Sequence, residues 1–115
     1  MSERELQRAI IHAIELSGLG HPIRMNAGTM WAANKSTGKA APYRVGEAGT
    51  PDILVMLTQG QVVWFEVKTA KGKLQPSQVA WHERARGMGH AVFIVRSQQE
   101  ALAALTGRVN DGKTS

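Results

Sequence analysis

The sequence predicts one α/β domain in which a single sheet is flanked by helices, and three features carry that prediction. Leu6, Ala9, Ile10, Ala13 and Ile14 recur at helical spacing near the start. Ile53–Leu57, Val62–Phe65 and the run Val92-Phe93-Ile94-Val95 have the length and apolar content of buried strands. At 115 residues and 12.5 kDa the chain has material for one core and not for two.

Each element follows in order. Residues 3 to 17 form the first helix, ended by Gly18 and Gly20, and its apolar stripe is expected to cover one sheet face. Ile23 to Ala27 reads as a short strand. The least patterned stretch reaches Pro42; in it Met30-Trp31-Ala32-Ala33 extends a hairpin with Asn34-Lys35-Ser36-Thr37-Gly38-Lys39 as a flexible tip. Gly49 and Pro51 prepare the next strand. Proline is tolerated at a strand's first residue, and glycine permits close approach of a bulky anion.

Between the two apolar runs, Thr58-Gln59-Gly60 suits a three-residue turn with Gly60 left-handed. Thr69 to Lys73 then leaves the sheet, and Pro76 opens a helix to about Met88 bearing Val79, Ala80, Glu83, Arg84 and Arg86. Trp64 and Trp81 read as core, and Trp31 as a contact residue. His90 to Arg96 is the last strand. Residues 97 to 106 form a closing helix with Ala101, Leu102 and Leu105 inward, and the polar tail 108–115 is expected to be disordered, leaving 1–107 as the domain.

Charges inside the strand runs are the chemical anomaly, because such positions rarely hold acids or lysines as packing material. With a three-residue turn, Leu57 faces Gln61 and Asp52 faces Glu66; Lys68 shares their face. A two-residue loop would instead pair Asp52 with Val67 and separate the three. Facing partners lie ~5 Å apart at Cβ, and two carboxylates so placed repel unless a cation lies between them. An all-oxygen site of Asp52, Glu66 and the Val67 carbonyl suits Mg²⁺ or Mn²⁺. Zinc is disfavoured. The chain has no cysteine, and His12, His21, His82 and His90 are scattered and read as ordinary surface or packing residues.

Fourteen basic against nine acidic residues give a net charge of +5 and a pI near 10.1, which favours a polyanionic partner. Lys35, Lys39 and Arg44 precede Pro51-Asp52, while Lys71 and Lys73 follow Lys68. Both groups could flank a phosphate chain in a salt-sensitive, sequence-independent way. No apolar run approaches the ~20 residues of a membrane span, and the charged start Ser2-Glu3-Arg4-Glu5 is unlike a secretory signal. The expected location is therefore the cytoplasm.

Several segments together carry a family resemblance: Arg24-Met25-Asn26-Ala27-Gly28, Gly46-Glu47-Ala48-Gly49-Thr50-Pro51-Asp52, Glu66-Val67-Lys68-Thr69-Ala70-Lys71-Gly72-Lys73-Leu74, Gln78, and Gly87-Met88-Gly89-His90-Ala91. With the opening helix, they resemble the stand-alone virus-type replication-repair nuclease (VRR-NUC) modules of the PD-(D/E)XK nuclease superfamily over nearly the whole chain. The resemblance implies a restriction-endonuclease-like core, a mixed central sheet flanked by helices. It implies Asp52, Glu66 and Lys68 as the catalytic trio, Gln78 as a helix-borne polar residue beside them, and Asn26 as a contact to DNA or to the site's surroundings. Glu5 resembles the first-helix acid that helps hold the metal, with Glu3 and Glu15 as substitutes. Ser2-x-x-Glu5 is equally a capping box. One departure is Gln75-Pro76 where the family has Ser-Pro, a poorer helix cap.

The activity so implied is metal-dependent hydrolysis of DNA phosphodiesters by a homodimer, selective for branched DNA such as Holliday junctions or flaps. Lys68 is expected to act as an ammonium that stabilises charge in the transition state. A restriction-type endonuclease and a nucleic-acid-binding subunit acting with a partner are the alternatives.

Overall fold

The computed structural model describes the backbone of residues 1–25 and 28–114, and the side chains of these except 28–30, 44, 45 and 109–114. Helix α1 spans Glu3–Ser17 and buries Leu6, Ile10 and Ile14, the stripe expected from its periodicity. Gly18 ends it with a left-handed φ of 68°. Strand β1 follows at His21–Arg24, earlier and shorter than its apolar pattern suggests. β4 (Ile53–Met56) and β5 (Val62–Val67) form the central hairpin, helix α2 runs Pro76–Gly87, β6 is Ala91–Val95, and helix α3 runs Gln98–Thr114.

The sheet order is β1-β4-β5-β6. β1–β4 and β4–β5 pair antiparallel, whereas β5 and β6 are parallel because α2 carries the chain back across the sheet. The result is the mixed sheet flanked by helices that the resemblance implied. Ile53 pairs with Phe65 and Leu54 with Trp64, so the three-residue register holds. Both Gln59 (φ 62°) and Gly60 (φ 73°) are left-handed in the turn, one residue more than expected.

Alternation then divides each strand between two environments. Ile53, Val55, Val63, Phe65, Val67 and Val95 pack against α1 and α3 with Leu6, Ile10, Ile14, Ala101 and Leu105. Gln98 Nε2 joins the two helices by donating to the Ala9 carbonyl at 3.1 Å. The opposite faces of β4 and β5 carry Asp52, Leu54, Met56, Val62, Trp64, Glu66 and Lys68, and α2 covers only part of them. Met56 and Val62 are accordingly 44% and 36% exposed. The apolar runs therefore mark strands sealed on one face and partly covered on the other, not on both.

Helix α3 continues past Gly107 to Thr114, where the sequence suggested an end at residue 106. A glycine inside a helix costs about 1 kcal/mol relative to alanine but does not remove a hydrogen-bond donor, and no proline follows it.

β2 (Gly28–Ala33) and β3 (Ala40–Val45) form a separate two-stranded sheet inserted between β1 and β4. Among the described residues, each packs on the other and on no other element to a comparable extent. The tip is held by its own bonds: Asn34 Oδ1 accepts from the amides of Ser36 (2.8 Å) and Thr37 (3.2 Å), and Gly38 N–H donates to the Asn34 carbonyl at 2.7 Å. The tip suggested by composition is thus a turn closed by an asparagine side chain.

Candidate active site

Asp52 follows the buried Pro51 at the entrance to β4, and its backbone carbonyl accepts from Met25 N–H at 2.9 Å. Its side chain crosses to β5, where Oδ2 accepts the Val67 N–H at 2.8 Å. That bond fixes the carboxylate beside Glu66, the next residue on the facing strand. Glu66 has no solvent exposure. Burial, first, and then a side-chain hydrogen bond and charge repulsion from Asp52 push its pKa up to about 9. Lys68 opposes this shift from two residues along, and is itself only 6% exposed. The two acids and the lysine therefore meet on one face.

Helix α2 supplies the remaining contacts through its first two turns. Gln78 Oε1 accepts the Gln75 N–H at 2.8 Å, capping the helix, while its Nε2 donates to Glu66 Oε2 at 3.3 Å. The capping and site roles of this glutamine are two ends of one amide. One turn later, His82 Nε2 lies 3.0 Å from Glu66 Oε1, and the ring is 1% exposed. Burial, then the nearby Arg86 charge, lowers the His82 pKa and favours neutral imidazole. Among the described residues its Nδ1 is buried without a partner.

His82 is the residue that sequence reasoning missed. Its spacing was the available signal, because it lies four residues after Gln78 and so shares that helix face. The inward face of α2 is Gln78, Trp81, His82 and Ala85; Val79 and Ala80 point outward. This explains why the helix lacks an apolar stripe, since half of its inner surface serves the acids. Trp81 packs edge-on against Trp64 with ring centroids 5.0 Å apart, but both indoles remain partly exposed, so neither is deep core as expected.

Gly49 holds α2 in place. With φ at 90°, a Cβ there would lie 2.1 Å from the Ser77 carbonyl oxygen. The first turn of α2 thus makes a close approach that requires glycine. Arg84 bonds Glu47 at 2.6 Å nearby, an exposed pair contributing ~0–1 kcal/mol.

Arg96 was also passed over. Its Nη1 donates to the carbonyls of Thr69 (2.6 Å) and Gly72 (2.8 Å), shaping the turn that carries exposed Lys71 and Lys73. Lys35 and Lys39 are exposed at the hairpin tip. Arg44 lies in β3 opposite Thr29, with its side chain outside the described residues, as is all of Asn26.

The structure does not bring Glu5 into the acid cluster. It closes the capping box instead: its amide donates to Ser2 Oγ at 3.1 Å, and its Oε1 accepts from Ser2 N–H at 3.2 Å. The bonds to Ser2 lower its pKa, the backbone one foremost. Glu3, half-buried, is the first-helix acid whose charge reaches Glu66. Local capping satisfied Glu5 where the sequence left both roles open. His12, His21 and His90 are exposed, as expected for surface residues. Among the described residues, no group of three or more His, Cys, Asp or Glu side chains is placed to hold a metal ion. Any cation would therefore rest on the acid pair, backbone oxygen and water.

A mixed sheet whose central antiparallel strands juxtapose an aspartate, a glutamate and a lysine, with a glutamine-bearing helix set against them, defines a nuclease of the PD-(D/E)XK type. The VRR-NUC domain model matches residues 3–99, and the chain belongs to that family. It is 35% identical over 65 residues to "Putative nuclease p44" of Acyrthosiphon pisum secondary endosymbiont phage 1, a match covering 56% of this chain and 68% of the phage protein. A solved VRR-NUC domain superposes with a TM-score of 0.64 at 27% identity, over 90% of this chain and 94% of its own. Among the described residues no helix is long and apolar enough to cross a membrane.

Proposed function

We propose that this nuclease domain is a Mg²⁺- or Mn²⁺-dependent DNA endonuclease that holds its cation between Asp52 and Glu66. The observation that carries the reading is the state of Glu66: a wholly buried carboxyl, beside a second carboxylate, with its pKa pushed up to about 9. Two acids so placed need either a shared proton or a cation. The donors fit a hard divalent ion, since Asp52, Glu66 and the Val67 carbonyl offer only oxygen. When bound, such an ion would activate water and neutralise charge on the phosphoryl oxygens.

The chain's own residues supply the rest. Asp52 is pinned by Val67 N–H, and Glu66 by Gln78 and His82, so the ligand oxygens are oriented in advance. Lys68 places an ammonium on the same face, where it stabilises negative charge developing at the scissile phosphate. The N-terminus of α2 ends against the acids and contributes a positive dipole end that favours a phosphate. Lys71, Lys73, Lys35, Lys39 and Arg44 are assigned to the phosphate backbone, with Asn26 as a further DNA contact. Glu5 is not retained as a ligand in this reading.

The proposed substrate is branched DNA, a Holliday junction or a flap, and the acting species a homodimer. Two-fold symmetry would set two sites against opposing strands of a junction. The test is incubation of the purified protein with labelled four-way junction, flap, plain duplex and single-stranded RNA, with Mn²⁺ or with EDTA. Metal-dependent nicking of branched DNA, lost in Asp52→Ala and Glu66→Ala, is expected. Equal cutting of all substrates would remove the selectivity, sequence-specific cutting of plain duplex would favour a restriction-type enzyme, and binding without cutting would favour a subunit role. Light scattering that reports a monomer at micromolar concentration would remove the dimer.

A further inference from the structure

We propose that the β2–β3 hairpin is a second nucleic-acid contact, a preformed basic arm on which Trp31 stacks an unpaired base within a few nucleotides of the cut. The proposal rests on the nuclease reading above and deepens it.

The arm is uncovered. Every side chain from Trp31 to Tyr43 is exposed, and Trp31 and Tyr43 are 67% and 49% exposed. The Cα radius of gyration is 16.0 Å and the longest extent 59 Å, against ~13 Å for the radius of a compact chain of this length. An isolated two-stranded hairpin is marginally stable in water, so an arm that exposes two aromatic rings gains from being covered.

Charge identifies what covers it. From Leu16 to Gly46 the chain contains Arg24, Lys35, Lys39 and Arg44 and not one acid. A second copy of the same arm would meet its own positive charge across a two-fold axis, which disfavours self-association there. A phosphate backbone complements it without reading sequence. The turn that carries Lys35 and Lys39 is closed by the bonds to Asn34.

Placement and chemistry narrow the ligand to unpaired nucleotides. The arm leaves the core beside Met25, bonded to the Asp52 carbonyl, and returns through Glu47 and Gly49 to Asp52. At ~3.3 Å per residue, Trp31 stands ~10 Å along β2 and the tip ~20 Å along it. Pro42 faces Trp31 across the ladder, Ala33 and Ala40 flank it toward the tip, and the indole is 67% exposed. A base inside a duplex is already stacked on both sides. Only an unpaired base gains a partner from Trp31, whereas the lysines act on either form.

The test uses full-length protein with Asp52→Asn, which binds without cutting, and fluorescence anisotropy at one fixed salt concentration. Its probes are a flap with an unpaired arm and a blunt duplex of equal length. Trp31→Ala is expected to weaken flap binding about tenfold and duplex binding less than about twofold, with Trp31→Phe restoring most of the loss. Joint Lys35→Ala and Lys39→Ala should weaken both probes alike and flatten the salt dependence. Equal effects of Trp31→Ala on both probes, or none on either, would overturn the proposal. So would a change in oligomeric state at unaltered affinity, which would mark the arm as a self-association surface. Failure of the wild-type protein to cut the flap with Mn²⁺ strikes the nuclease reading instead, and leaves the binding comparison intact.

Discussion

Glu66 Oε1 and His82 Nε2 lie 3.0 Å apart with neither side chain more than 1% exposed, joining strand β5 to helix α2 beneath the acid cluster. The contact has two dependents: the packing of α2 on the sheet, and the orientation of the carboxyl that faces Asp52. His82→Ala removes a buried hydrogen-bond partner and opens a cavity. A loss of roughly 2–4 kcal/mol is expected by urea denaturation, with nuclease activity reduced at least tenfold under conditions where the variant is folded. A variant as stable and active as the parent would show that the contact positions nothing.

The protonation of the same cluster sets how stability varies with pH. Glu66 has a folded pKa of about 9 against 4.5 for the free group, so the folded chain holds an extra proton between these values. Its contribution to stability is present at low pH and is lost as pH rises through about 9. His82 is shifted the other way, below 6.5, and its contribution is lost only as pH falls through that depressed value. The two slopes oppose one another below pH 6.5, and above it only that of Glu66 remains. The melting temperature of the cation-free protein should therefore fall between pH 6.5 and 9. Scanning calorimetry in EDTA checks this, and Glu66→Gln should flatten the fall. Added Mn²⁺ should raise the melting temperature more at pH 8 than at pH 6, because the ion takes the place of a proton that is harder to keep at high pH.

Gly49 gives a sharper test of how the site is assembled. A side chain there meets both a left-handed backbone and the Ser77 carbonyl at 2.1 Å, with no flexible atom to move aside. Gly49→Ala is expected to cost roughly 3 kcal/mol or more and to displace the start of α2, taking Gln78 from Glu66. Gly38→Ala, also at positive φ but with open space around it, should cost no more than about 1–2 kcal/mol. Thermal melts of the two variants side by side separate the clash from the backbone term.

The contrast between these residues shows what the amino-acid sequence makes legible. The register that sets Asp52 beside Glu66 could be worked out because a strand hairpin has a fixed period and a three-residue turn leaves one pairing. Helix α1 was readable for the same reason, as its stripe follows a single period. Contacts between distant elements have no such rule. His82 looked like one of four ordinary histidines until α2 was placed over β5, and Arg96 looked like the end of a strand until the 69–72 turn folded back onto it. Glu5 carried two valid local readings, and the nearer partner, Ser2, took it. The closing helix was underestimated because Gly107 weakens a helix without forbidding it.

Gln78 allows its two roles to be separated by substitution. Its oxygen accepts from the Gln75 amide and its nitrogen donates to Glu66, so Gln78→Ala should lose both and cost about 1–2 kcal/mol. Gln78→Glu keeps an acceptor for the amide, and its negative charge at a helix N-terminus is favourable there. It also replaces the donor to Glu66 with a third carboxylate, raising the repulsion that Asp52 already exerts. The expected outcome is a melting temperature below that of the parent in EDTA at pH 8 and a larger gain on adding Mn²⁺, read by scanning fluorimetry. Because a glutamate can still cap the helix, a melting temperature and a Mn²⁺ response equal to the parent's would place the importance of Gln78 in the cap alone.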